Sequence, residues 1–134
     1  MLTTGRYTLS RSTDAPFAEA VERVRAELAD AGFGVLCEID VQATLREKLG
    51  VEREPYVILG ACNPPLAHRA LEAEPELGAL LPCNVIVYAG DGGTRIAAID
   101  PERMLSIVEN DALAEVAADV KARLARVVER AVTA

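Results

Sequence analysis

Large aromatic side chains are scarce in this chain. Of its 134 residues, 4% are aromatic and none is tryptophan, whereas 51% are hydrophobic. The interior must therefore be built from valine, leucine, isoleucine and alanine. A chain of this length can enclose one such core, and no polar low-complexity stretch divides it. We predict a single domain over residues 1–134.

Basic charge is also scarce. Lysine and arginine number 14 against 21 aspartates and glutamates, which gives a formal net charge of −7 at pH 7. A surface of this sign repels a phosphate backbone, and the basic residues are scattered along the chain instead of clustered. We therefore expect no nucleic-acid partner.

Long apolar runs are missing too. No segment approaches the roughly 20 apolar residues of a membrane-spanning helix, and residues 1–10 lack the apolar stretch of a signal peptide. We predict no membrane association and a cytoplasmic location. Three cysteines without a secretory signal argue against a disulfide framework, so Cys37, Cys62 and Cys83 should stay reduced.

Signatures of several enzyme and cofactor classes are absent. The chain contains no GxGxxG, GxxxxGK or GxSxG segment and no CxxC or HxxxH spacing. We expect no cofactor. A metal site built from Cys62, Cys83 and His68 is a weak hypothesis, because it would lack a fourth protein ligand. His68, the only histidine, is more simply an exposed helix residue beside Arg69.

Two long amphipathic helices are predicted over residues 17–31 and 113–127, where apolar side chains recur every three or four positions. A short helix is expected over residues 41–49, and others after the two prolines at 64–65 and after Asp100. The residues suited to cap or end the helices are Thr13, Asp14, Gly32, Asp40, Gly50, Asn63, Asp100, Asn110 and Asp111.

Five strands are predicted, over residues 6–11, 34–39, 56–62, 83–88 and 94–99. The last two are joined by AGDGG, whose glycines permit the positive φ angles of a hairpin turn. Strands and helices are intermixed without a glycine-rich strand-to-helix turn. The pattern predicts an α+β fold, with a single mainly antiparallel sheet of about five strands and helices packed on it.

The three later strands are apolar at nearly every position, whereas a sheet with one wet face should alternate. Both faces should therefore be covered. The covers that remain open are helices on each side, a second copy of the chain across a two-fold axis, and an internal ligand cavity.

Two Cys-Asn dipeptides mark the candidate site. Cys62-Asn63 ends a predicted strand, and Pro64 behind it disfavours the helical region for Asn63, so the strand should stop there. Asn63 can then cap a helix that begins with two prolines. Cys83-Asn84 opens the next strand, and neighbouring strand ends would bring the two dipeptides together.

The two cysteines can be interpreted as reactive thiols or as ordinary packing residues. The positive end of the helix macrodipole beside Cys62 would favour its thiolate, and Cys83 could then react with it. The simpler interpretation is that both are small buried hydrophobic residues. Asn84 is unusual in a strand and shares a face with Ile86 and Tyr88, so a buried Asn84 would need backbone partners or a ligand.

The segments GFGVLCEIDVQATLREKLGV and YVILGACNPPLAHRALEAEPELGALLPCNV, with the DGG hairpin, resemble the domain of unknown function 302 family. The resemblance covers nearly the whole chain and is densest over residues 32–87. It implies a TATA-binding-protein-like α+β arrangement and often a homodimer, but no activity. The family usually has threonine at the position of Cys37, which implies that this thiol is not required. The residues that match the family segments are Cys62, Asn63, Pro64, Cys83 and Asn84.

The leading hypothesis is a non-enzymatic, homodimeric cytoplasmic domain that binds a small molecule or partner near the corner of Cys62, Asn63, Pro64, Cys83 and Asn84. The alternative is a thiol-based redox protein in which Cys62 attacks and Cys83 resolves. A third hypothesis is that the protein is a purely structural assembly module.

Overall fold

The structure is a computed structural model that describes residues 2–90 and 92–132. Within them it is an α+β fold with one antiparallel sheet, as predicted, but the sheet has six strands instead of five. The additional strand, β1, is two residues long and too short to carry a period-two pattern. The strands are β1 (Thr3–Thr4), β2 (Thr8–Thr13), β3 (Gly34–Asp40), β4 (Tyr56–Cys62), β5 (Cys83–Gly90) and β6 (Gly93–Ile99).

The strand order in the sheet is β1-β2-β6-β5-β4-β3, and every neighbouring pair is antiparallel. The predicted β5–β6 hairpin is present; Asp91 in its turn lies outside the described residues. Strand β4 pairs with β5, and Ala61 lies opposite Cys83. The register therefore brings the two Cys-Asn dipeptides to the same end of adjacent strands.

The described residues form five α-helices and two short 3₁₀ helices, of which the last two α-helices and the second 3₁₀ helix follow the last strand. Most of the predicted caps are present: Asp40 accepts a hydrogen bond from the Ala43 N–H at 2.9 Å, and Gly32 follows α1 with φ of 89°. Thr13 instead accepts from the Ala15 N–H, so Pro16 takes the cap position of α1. The helices are α1 (Phe17–Asp30), α2 (Val41–Leu49), α3 (Pro64–Ala73), α4 (Pro101–Leu105) and α5 (Ala114–Ala131), with 3₁₀ turns at Pro75–Leu80 and Asp111–Leu113.

One face of the sheet carries the helical layer. Helices α1 and α5 pack on each other and on the strands, and Val85 and Val87 of β5 are fully buried beneath the layer. The core is aliphatic, as the composition predicts, and the buried residues include Leu28, Leu59 and Leu124. None of the residues of helix α2 is fully buried. Within the described residues, helices thus cover one face and not both.

The opposite face is called the open face. It carries the other half of the alternating strand residues, and none of these is an aspartate or glutamate. Tyr56 and Tyr88 stack on it with ring centroids 5.2 Å apart, and the Arg53 guanidinium lies 5.0 Å from the centre of the Tyr56 ring. The open face comprises Thr8, Ser10, Ser12, Cys37, Ile39, Tyr56, Ile58, Gly60, Asn84, Ile86, Tyr88, Arg95, Ala97 and Ile99.

Candidate functional site

The junction between β4 and α3 forms a rigid corner. Strand β4 ends at Cys62, and Asn63 caps α3 by accepting a hydrogen bond from the Leu66 N–H at 3.2 Å. Pro64 and Pro65 are the first two helical residues, where a missing N–H is tolerated. The predicted role of Asn63 as a helix cap is therefore present in the structure.

A pocket of about 350 Å³ lies at this corner, between α3, the end of β4 and the start of β5. Cys62, Asn63 and Cys83 all line it. Leu36 and Leu71 also line it and are 68% and 38% exposed, so the pocket opens to solvent beside them. The walls are otherwise apolar and include Phe33, Leu66, Ala70, Leu81, Pro82 and Val120.

Cys83 lies on the inner side of this pocket. Its side chain is 8% exposed, and burial raises the pKa of its thiol to about 11, with a smaller contribution from Cys62. A thiol with this pKa is about 0.01% thiolate at neutral pH. Cys62 is half-buried, so of the two pocket cysteines it is the more accessible.

The structure does not bring all the predicted site residues to the pocket. Asn84 is exposed on the open face, opposite Gly60 of β4, so it needs no buried partner. Pro64 is exposed at the start of α3 and does not line the pocket. The candidate site is therefore reduced to Cys62, Asn63 and Cys83.

Cys37 lies on the open face and does not line this pocket. A Cβ atom added at Gly60 would be 2.6 Å from the Cys37 Sγ and 2.8 Å from the Pro82 Cγ. The side of Gly60 on which Asn84 lies is therefore closely packed by Cys37 and Pro82, although the Cys37 side chain itself is exposed.

His68 is not part of the pocket lining. Its side chain is 76% exposed on α3, and its Nε2 lies 3.8 Å from a carboxylate oxygen of Glu72 one turn further on. Among residues 2–90 and 92–132, no three histidine, cysteine, aspartate or glutamate side chains are grouped as metal ligands would be. The hypothetical ligand set of Cys62, Cys83 and His68 is thus not assembled.

A larger cleft of about 900 Å³ lies near the β5–β6 turn and was not predicted. Two of its arginines are engaged by the protein: Arg23 pairs with Glu19 at 3.1 Å, and Arg95 donates hydrogen bonds to Ser10 and Ser12. The cleft is lined by acidic, basic and polar residues, whereas the smaller corner pocket is lined almost entirely by apolar ones. We therefore take the corner pocket as the candidate site.

The phenylalanine, proline and valine walls of the corner pocket were also not predicted. Phe33, Pro82 and Val120 come from three separate parts of the chain, and no local pattern links them. Only the register of β4 and β5 and the packing of α5 bring them together.

In the described part of the chain, no helix is both long and apolar enough to span a bilayer.

The chain is similar to known proteins over most of its length. The family model of the domain of unknown function DUF302 matches residues 9–131. The crystal structure of an uncharacterized conserved protein DUF302 from Bacillus stearothermophilus is similar with a TM-score of 0.89 and 34% identity. The similarity covers 95% of this chain and 99% of that one. None of the curated proteins is similar to this chain. The chain belongs to the DUF302 family.

Proposed function

We propose that this protein is a non-enzymatic cytoplasmic domain that binds a small apolar ligand in the corner pocket and acts as a homodimer. The observation that carries the proposal is the apolar pocket of about 350 Å³, into which both Cys62 and Asn63 are brought by the β4–α3 corner. Its volume is within the range of about 300–1,000 Å³ that is usual for small-molecule sites.

The chemistry of the lining favours binding over catalysis. An enzyme needs an acid, a base or an activated nucleophile beside the reacting atoms. Here the Oδ1 of Asn63 is used in the helix cap, and the Cys83 thiol is held protonated by its raised pKa. A lining of this kind can bind an apolar molecule, but it has few groups that could transfer a proton.

Titration with toluene tests the ligand site. Toluene is added to ¹⁵N-labelled protein, and saturable shifts are expected for the amides of Cys62, Leu66 and Ala70, all of which line the pocket. Ala67→Phe, which projects a ring from the pocket wall, should abolish these shifts. Ala73→Phe on an exposed position of the same helix should leave them unchanged. Shifts that never saturate, or that persist in Ala67→Phe, would contradict the proposal.

The open face supports the proposed homodimer. Ile39, Ile58 and Ile86 are cross-strand neighbours on it and form an apolar row. Although the chain carries a net charge of −7, the strand residues of this face include no carboxylate. Two identical open faces could therefore meet across a two-fold axis without the repulsion that other parts of the surface would cause.

Sedimentation velocity tests the dimer. Ile58→Lys places a charge in the centre of the apolar row, and we expect it to shift a dimeric protein to a monomer. Ile107→Lys is the control, because Ile107 is 71% exposed and does not belong to the open face. A monomeric wild-type protein, or a dimer unaffected by Ile58→Lys, would contradict this part of the proposal.

The second candidate is a thiol-based redox protein, favoured by the presence of Cys62 and Cys83 in one pocket. The raised pKa of Cys83 opposes it, because a protonated thiol exchanges slowly. Treatment with hydrogen peroxide separates the two candidates. A Cys62–Cys83 disulfide, detected as the loss of two hydrogen atoms by intact mass, would support the redox candidate, and its absence would contradict that candidate.

A further inference from the structure

The first turn of α3 offers almost no backbone donors to a ligand. Helix N-termini bind anions through their free N–H groups and the partial positive charge on them. In α3, the first two helical positions are Pro64 and Pro65, which have no N–H, and the Leu66 N–H is bound by Asn63 Oδ1. The next N–H, of Ala67, is bound by the Asn63 carbonyl at 2.9 Å. This helix start is therefore unsuited to bind an anion.

The pocket walls offer no charge either. Among the described residues that line the pocket, none is lysine, arginine, histidine, aspartate or glutamate. An ion that enters an apolar cavity loses its hydration and gains no opposite charge from these walls. A charged ligand, whether anionic or cationic, is therefore disfavoured.

One hydrogen-bond donor remains, the carboxamide nitrogen of Asn63. The Asn63 side chain is 8% exposed, and within residues 2–90 and 92–132 no acceptor binds its Nδ2. Every fully sealed polar side-chain atom of the described chain has a partner, so Nδ2 is not sealed. Asn63 is one of the residues that line the pocket.

Space around this nitrogen is kept by Gly32. A Cβ atom at Gly32 would lie 3.1 Å from Asn63 Nδ2 and 3.3 Å from Arg123 Nη1, and the φ of 89° at Gly32 also disfavours a side chain. The Arg123 guanidinium is itself engaged, because it donates hydrogen bonds to Asp119 and to the Ala31 carbonyl. The carboxamide is thus held between its cap bond to Leu66 on one side and the bare backbone of Gly32 on the other. Its orientation is fixed before a ligand arrives, which reduces the entropic cost of a hydrogen bond to it.

From these observations we infer that the ligand of the corner pocket is uncharged and joins an apolar body to a single hydrogen-bond acceptor, such as a carbonyl oxygen, that binds Asn63 Nδ2. The inference rests on the proposed ligand-binding function and specifies its ligand class. Cys62 then contacts the ligand as an apolar wall.

The test compares three probes of similar length, heptan-2-one, heptane and heptanoate at pH 7, by NMR titration of the ¹⁵N-labelled full chain. Heptan-2-one should shift the side-chain NH₂ signals of Asn63, whereas heptane should shift only the backbone amides of the walls. Heptanoate should bind at least tenfold more weakly than heptan-2-one. Asn63→Asp retains a cap acceptor for Leu66 but removes the donor, so it should weaken heptan-2-one about five- to tenfold and leave heptane nearly unchanged.

The outcomes separate this inference from the proposal on which it rests. If neither heptane nor heptan-2-one binds saturably, the ligand-binding function fails and the inference fails with it. If both bind but heptanoate binds as tightly as the ketone, the pocket accepts charge and only the inference is overturned. The same holds if Asn63→Asp weakens heptane and heptan-2-one equally, because Nδ2 would then have no specific role.

Discussion

The two Cys-Asn dipeptides have the same two residues and different surroundings in the fold. At Cys62-Asn63 the strand ends and the chain turns into a helix, and both side chains line one pocket. At Cys83-Asn84 a strand begins, and successive side chains point to opposite faces of the sheet. Only Cys83 reaches the pocket, and Asn84 is exposed on the open face.

The residues that follow each dipeptide account for the difference. Pro64 and Pro65 cannot donate to a strand ladder and are suited to the first turn of a helix. The β-branched residues Val85, Ile86 and Val87 instead continue the strand. A short motif therefore takes its function from whether its neighbours extend the strand or end it, and each prediction below tests one side of this difference.

The largest effect is expected at Gly60, which lies opposite Asn84. Gly60→Ala should lower the free energy of unfolding by about 2–3 kcal/mol, because its new methyl group would meet Cys37 Sγ at 2.6 Å and Pro82 Cγ at 2.8 Å. The proline ring cannot rotate away. This cost exceeds the roughly 0.4–1 kcal/mol that a Gly→Ala change gains from the unfolded chain. Urea denaturation measures the difference.

Gly78→Ala is the matched control for Gly60→Ala. No atom lies within 4 Å of a Cβ built at Gly78, so the variant should unfold within about 0.5 kcal/mol of the wild type. Cys37→Ala removes one of the two close contacts, and added to Gly60→Ala it should recover part of the loss. A Gly60→Ala protein as stable as the wild type would mean that Pro82 can move away from β4 at little energetic cost.

The two asparagines give the most direct comparison. Asn63→Ala should destabilise the protein by about 1–2 kcal/mol, because it removes the acceptor of the Leu66 N–H at a buried helix start. Asn84→Ala should change the stability by less than about 0.5 kcal/mol, because its side chain is exposed. Equal effects in urea denaturation would show that the two dipeptides do not differ as described.

Local signals made most of this corner predictable from the sequence. The bounds of β4, the cap at Asn63, the following proline pair and the left-handed Gly32 and Gly50 each depend on a few neighbouring residues. Alternation along β5 also predicts that Asn84 shares a face with Ile86 and Tyr88. These features follow from backbone chemistry that acts within one or two turns of chain.

The rest depends on contacts between distant parts of the chain. Which face of the sheet the helices cover cannot be read from β5, because its residues are apolar on both faces. The packing of α1 and α5 decides this, and it leaves Asn84 outside the pocket that Cys83 lines. The edge strand β1 was missed because two residues carry no periodicity.

The smallest effect is expected from the ionisation of Cys83. Its pKa is raised from an ordinary value of 9.0 to about 11, so the folded protein favours the neutral thiol. The resulting contribution to stability is complete below about pH 9 and is lost as the pH rises towards 11. Between pH 7 and pH 10, the stability of the wild type relative to Cys83→Ala should therefore fall by about 1 kcal/mol.

Asn84→Ala is the reference for this pH series, because it removes no ionisable group from the same dipeptide. The stability difference between the wild type and Asn84→Ala should stay constant from pH 7 to pH 10, whereas the difference for Cys83→Ala should shrink. If both differences stay constant, the Cys83 thiolate must be as well solvated in the folded chain as in the unfolded one. The corner pocket would then be wet at its base, and the contrast between the buried and the exposed residue of this dipeptide would be lost.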